Sequence, residues 1–392
     1  TEFPFFTFLF GDLHAHLMAI PLTLLVIGLG IHTTILGAKK TSFIPRVSSA
    51  CLLGFSVGAV WVTNSWDFPI YLLLSATLAV MGEYYLHRRV NLHFLRGALV
   101  MTLLIVGSAL IFWLPFHSSL DTTSYDLRLT MAQTTLPQFL KIHSPFMFIS
   151  ISFLFAAFRI RGTQEARKVL RNLSRPTVLA PIVLLSSMIL TLTIQRSPLS
   201  GILAIILTLS LYLAYQWLPK QRHTYPTSAP SLLIALTLWA TSIVIILFVE
   251  LFAIDDGMGR MNTVFKFYLQ AWVMLGLSSA YFLWHLLYVE NFAAKSKKLW
   301  ITWISILACL VVATTSYAVP AINARVEQRF VKTGWTLDGT AYMRDAVHAD
   351  QNGEIRLYDD LEAIRWIQKN IDGAPILLEG VTPEYRWGAR IS

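Results

Sequence analysis

The sequence predicts an all-α polytopic membrane protein of about ten transmembrane helices, followed by the start of an extracytoplasmic α/β segment. Three observations predict it. Of the 392 residues, 55% are hydrophobic and only 14% charged, against about 25% charged in a soluble protein. The apolar residues fall mostly in blocks of about 17–25, the length that crosses a bilayer as a helix. The Lys and Arg residues between blocks alternate in density from one loop to the next, as expected when one side faces the cytoplasm.

The blocks, in order, are 13–36, 47–63, 69–86, 97–114, 146–158, 177–194, 201–218, 232–251, 267–288 and 299–318. The fifth is short for a span. Alternating them collects the clusters Lys39–Arg46, Arg88–Arg96, Arg159–Arg175, Lys220 with Arg222, and Lys295–Lys298 on one side. The other side holds only Arg128, Lys141, Arg196, Arg260 and Lys266 before the tail. The first side is therefore assigned to the cytoplasm. The net charge of +9 then reflects this bias and gives no reason to expect nucleic acid. Cys51 and Cys309 lie inside apolar blocks and read as small buried hydrophobes, not a disulfide. The chain lacks an initiator Met, starts in a polar loop and stops at Ser392 inside a structured segment, so both ends are expected to be cut. A membrane domain is expected over 1–319 and a soluble extracytoplasmic segment over 320–392.

With this topology nearly every unusual polar residue faces the non-cytoplasmic side. Gly11-Asp12-Leu13-His14-Ala15-His16 opens the first span. Asp is a favoured N-cap, which accounts for Asp12 but not for two histidines. On a helix Asp12 and His16 share a face. They then form either a base with its orienting partner or two ligands of a metal such as Mg or Mn. Asn64-Ser65-Trp66-Asp67-Phe68-Pro69 reads as a tight hairpin with Trp66 in the aromatic belt and Pro69 opening the next helix. It also delivers a second carboxylate, Asp67, to the face that carries Asp12.

The segment Glu250–Lys266 includes Asp255, Asp256, Gly257, Gly259, Arg260 and Asn262. Arg260 and Lys266 run against the charge bias, so each needs a partner. They pair with Asp255 and Asp256, or they bind an anion at a helix start, where Gly permits close backbone approach. Asn262 and Lys266 share a helix face, which favours phosphate. The loop 115–145, with His117, Asp121, Asp126, Arg128, Lys141 and His143, reads as a partly helical cover without assigned chemistry. Arg196 reads as snorkelling to head groups. In the tail, Asp359–Asn370 is amphipathic at helical spacing with Gly373 after it, and 374–380 reads as a buried strand. Glu379 and Tyr385 read as parts of that fold.

The strings Glu2-Phe-Pro-Phe-Phe…Gly11-Asp12-Leu-His14-Ala-His16, Asn64-Ser-Trp66-Asp67-Phe-Pro and Arg260-Met-Asn262-Thr-Val-Phe-Lys266-Phe resemble the Chlor-Arch-YYY family. So do Leu337-Asp338-Gly339, Ala363-Ile364-Arg-Trp366 and Leu378-Glu379-Gly. The resemblance runs along nearly the whole chain. One departure is Ala15, where it leads us to expect a proline. It implies a multi-pass protein of the plasma membrane of an archaeon or bacterium, and no established function. The architecture is similar to that of GT-C glycosyltransferases, which use polyprenyl-phosphate sugars. That likeness implies Asp12 as general base, His16 as its orienter or fellow metal ligand, and Asp67 as second acid. Arg260 and Lys266 would neutralise the lipid phosphate, with His14, Asn64, Trp66 and Asn262 lining the substrate site. The rival readings are a transporter or lipid flippase, which would carry ionisable groups mid-span, and a non-catalytic scaffold. Glu83 and His285 lie near span ends, which disfavours transport.

Overall fold

The computed structural model describes residues 4–10, 14–119, 126–130, 132–161, 198–217, 229–255, 260–290, 296–329, 331–350, 353–374, 376–380 and 387–388. Among these, nine helices are long and apolar enough to cross a bilayer. They match nine of the ten expected blocks, and the block at 177–194 lies outside the described residues. The protein is an all-α polytopic membrane protein.

The membrane part runs α1 (Pro4–Phe10), α2 (Ala15–Ala38), α3 (Phe43–Thr63), α4 (Phe68–His87), α5 (Leu92–Ile111) and α6 (Leu114–Ser119). It continues with α7 (Leu136–Arg161), α8 (Pro198–Trp217), α9 (Ala229–Leu251), α10 (Arg260–Trp284) and α11 (Lys297–Thr315). A π-helical turn over His285–Val289 extends α10. The first stretch, expected as a polar loop, is the short helix α1 with Pro4 at its first position, where a missing N–H costs nothing.

Two boundaries differ from expectation for identifiable reasons. The N-cap of α2 is His14, with extended backbone (φ −65°, ψ 151°), so no helix runs through residue 14. The cap position that Asp12 was expected to take is held by His14. Asp12 itself lies outside the described residues. The fifth span is a full helix because it starts at Leu136, where Thr135 and Gln138 cap it reciprocally. The Thr135 backbone N–H donates to Gln138 Oε1 at 2.9 Å, and the Gln138 N–H to Thr135 Oγ1 at 3.4 Å. Residues expected to form a partly helical cover also form strand β1 (Asp126–Leu129). It pairs antiparallel with β2 (Phe252–Asp255), setting Leu127 opposite Ile254.

Small residues bring the helices together, as bilayer packing favours. Gly37 of α2 lies against the backbone of Gly82 on α4 with no room for a Cβ. Nearby, Thr34 Oγ1 donates across the same seam to the Leu78 carbonyl at 2.8 Å. At the end of the bundle assigned to the cytoplasm, Glu83 forms an ion pair with Arg46, and His87 Nε2 lies 3.6 Å from its other oxygen. Gly97 leaves the space that the Glu83 carboxyl fills. α9 and α10 pack side by side, and Trp239 Nε1 donates to Ser210 Oγ on α8 at 2.9 Å.

Contacts divide the chain at Thr315/Ser316. The second unit holds α12 (Ala318–Arg329), a hairpin of β3 (Val347–Asp350) with β4 (Gly353–Arg356), and α13 (Leu357–Asn370). Met343, Ala346, Leu357 and Leu361 make its small core. Gly373 follows α13 at φ +80°, a left-handed position that suits glycine. The strand expected at 374–380 does not form in the described residues 374 and 376–380. Ile376 and Leu378 are fully exposed, and among the described residues nothing pairs with them. The strands of this unit precede its helix instead.

Candidate functional site

Residues 64–67 turn tightly between α3 and α4. The Asp67 N–H donates to the Asn64 carbonyl at 3.1 Å, and Pro69 sits in the first turn of α4. The turn drives three of its four side chains inward and leaves Ser65 exposed. Asn64, Trp66 and Asp67 are all buried, so Trp66 belongs to the protein interior and not to an aromatic belt facing lipid.

The first turns of α10 form the opposite wall. Gln270 Nε2 donates to Asp67 Oδ2 at 3.0 Å, and Tyr71 on α4 donates its hydroxyl to Gln270 Oε1 at 2.5 Å. One turn back along α10, Lys266 Nζ lies 3.9 Å from the centroid of the Trp66 ring, within cation–π range. Asn262 is half-buried four residues before Lys266, on the same face of α10.

Asp67 is only 1% exposed. Burial disfavours its charged form and pushes its pKa up from 3.8 to about 7. The Asn64 and Gln270 amides, and then the Lys266 ammonium, pull it back toward ionisation. A carboxyl so balanced gains or loses its proton near neutrality, where acid–base chemistry is most effective.

The histidines sit beside this network. His16 is buried, with Nε2 3.3 Å from Thr7 Oγ1 of α1, and its ring meets Phe265 edge-on at 4.5 Å. His14 is exposed and stacks on His16 at 5.2 Å. α10 thus gathers His16 through Phe265, and Trp66 and Asp67 through Lys266 and Gln270. Among the described residues no three His, Cys, Asp or Glu side chains converge as metal ligands.

Arg260 belongs to a second network. Its Nη2 donates to Glu250 Oε1 at 2.5 Å and to Thr134 Oγ1 at 3.2 Å, and its Nε donates to the Val249 carbonyl at 3.1 Å. Tyr268 Oη donates to Glu250 Oε1 at 2.8 Å, and the Thr134 N–H to Oε2 at 3.0 Å. The cation expected to meet a phosphate is therefore engaged by the 1%-exposed Glu250 and holds the starts of α7 and α10 to the end of α9.

Residues 1–275 match the family model described as Uncharacterized membrane protein (DUF2298). The chain belongs to this family. No curated protein and no solved structure matches it. Both polar networks of this DUF2298 protein lie within the matched residues, whereas its second unit lies beyond them. Tyr71, Gln270 and Glu250 are the residues that sequence reasoning missed. Glu250, an acid closing an otherwise apolar run, was the available signal for the last.

Proposed function

We propose that this DUF2298 protein is a membrane-embedded glycosyltransferase, taking a sugar from a polyprenyl-phosphate donor at the extracytoplasmic face. The observation that supports it is one buried carboxyl, Asp67, poised near pH 7 beside Lys266 at the end of the bundle assigned to that face. Ionised Asp67 takes the proton of an acceptor hydroxyl as its oxygen bonds to the anomeric carbon. The bond from that carbon to the phosphate oxygen breaks, and its electron pair leaves with the lipid phosphate. Lys266 neutralises the charge that develops there. Because Asp67 is enclosed, acceptor binding must move the Asn64–Asp67 turn.

This reading changes two roles. Asp67 takes the part of base that the GT-C likeness gave to Asp12, and Asp12 becomes the second acid. Arg260 becomes a positioning residue. Asn262, on the Lys266 face, extends the anion site, while His14, Asn64 and Trp66 line it. Mg or Mn prefers oxygen ligands. No step of this reading runs through such an ion. The test is transfer from a polyprenyl-phosphate sugar in proteoliposomes. Asp67→Asn should lose about 10²–10⁴-fold, the scale of general-base catalysis. Full activity in that variant would overturn the proposal.

A further inference from the structure

A groove of about 670 Å³ runs between α4, α8, α9 and α10. We infer that it seats the hydrocarbon tail of a lipid phosphate that enters sideways from the bilayer, with its head group at Lys266. This deepens the transferase reading and rests on it for the head group, while the tail assignment rests on the groove alone.

The first argument is chemistry. The walls belong to membrane-spanning helices, so hydrocarbon is what surrounds them. At the opening, Leu73, Leu211 and Val244 are each more than half exposed. The lining also contains four hydroxyls, and three of them are turned back onto their own helices. Thr77 donates to the Leu73 carbonyl at 2.8 Å, Ser210 to Ile206 at 2.7 Å and Thr237 to Leu233 at 2.8 Å. A wall with so few free polar atoms offers a ligand chiefly dispersion contacts and exclusion of water. That suits an alkyl or isoprenoid chain and no polar substrate.

The second argument is continuity. Pro69 and Phe267 line the groove. One lies two residues after Asp67, and the other directly follows Lys266 on α10. The polar network and the groove therefore share two walls. A lipid lying in the groove would end where the cation is, which selects an anionic head group over a neutral or cationic one. The β1–β2 ribbon contributes its directly paired residues Leu127 and Ile254 to the same lining. The Glu250–Arg260–Thr134 network fastens that ribbon beside the start of α10.

The test uses the full chain in phosphatidylcholine nanodiscs containing a trace of polyprenyl phosphate with a diazirine in its tail. After irradiation, label should concentrate on peptides of α4, α8 and α9. Ala240→Trp, which fills the groove, should reduce it at least tenfold. Val244→Phe, at an exposed position, supplies a second obstruction should Ala240→Trp not yield folded protein. Lys266→Met should weaken labelling several-fold, and Asp67→Asn, which removes a negative charge beside the head group, should not weaken it. Label spread evenly over lipid-facing helices and insensitive to both obstructing variants overturns the tail site. Equal labelling by a diazirine phosphatidylcholine overturns the assignment to a lipid phosphate. Full transfer activity in Asp67→Asn, with labelling intact, sinks the transferase reading and leaves the groove standing.

Discussion

The Asp67 carboxylate and the Gln270 amide, 203 residues apart in the chain, meet in a 3.0 Å hydrogen bond inside the bundle. The bond joins the turn between α3 and α4 to the first turns of α10. It makes the protonation of one buried acid depend on a helix far away in sequence.

The first prediction concerns pH. The Asp67 carboxyl titrates near 3.8 when exposed and near 7 in the folded protein. The native state therefore binds its proton more tightly than the unfolded state between those values. Its contribution to stability is complete below about pH 4, declines as pH rises and is gone above about 7. Unfolding in detergent across this range should show the decline in the wild type and a flatter profile in Asp67→Asn. Activity should run the opposite way, rising with pH through an inflection near 7 as the base ionises.

Gln270→Leu removes a donor to the charged form of Asp67, so the inflection should move to higher pH. Tyr71→Phe, which leaves that donor in place, should move it less. A pH–rate profile that stays put in Gln270→Leu would show that the bond does not tune Asp67.

Glu250→Gln leaves the Arg260 guanidinium buried without its counter-charge, a loss of about 3–5 kcal/mol. The double variant Glu250→Gln with Arg260→Met should recover part of this, because no lone charge remains. Thermal unfolding of the two single variants and the double variant measures the coupling. Two additive single losses would mean the pair is not energetically linked.

Gly37→Ala pushes a methyl group into the Gly82 carbonyl at the α2–α4 seam, and overpacking of this kind costs about 1–3 kcal/mol. Gly28 on the same helix has nothing within 4 Å of where a Cβ would stand. Gly28→Ala should therefore be neutral, or stabilising by up to about 1 kcal/mol through helix propensity. The two midpoints, compared in one detergent, separate seam packing from helix propensity.

Much of the fold was legible because apolar length and the alternation of Lys and Arg act locally. The full length of α7 was legible too, in the capping pattern Thr135-Leu-Pro-Gln138, but it hides when only apolar length is counted. The site was legible in part. Trp66, Asp67 and Lys266 stand out as polar or aromatic groups at span ends. Gln270 and Tyr71 read as ordinary residues of apolar helices, and only the hydrogen bonds that join them across α4 and α10 give them meaning. The same holds for β1, four exposed residues that become a strand only because Phe252–Asp255 arrives beside them.

The short β1–β2 ribbon has a mechanical consequence. It ties the chain entering α7 to the chain leaving α9, and the Thr130 N–H extends the ladder to the Leu251 carbonyl at 3.1 Å. α9 lines the groove and α7 does not. Any outward swing of α9 that widens the groove must pull on the start of α7 through the ribbon. α7 is thereby a tether on the opening, and at the proposed lipid site a loosened Thr135–Gln138 cap would change how fast the lipid exchanges without touching it at all.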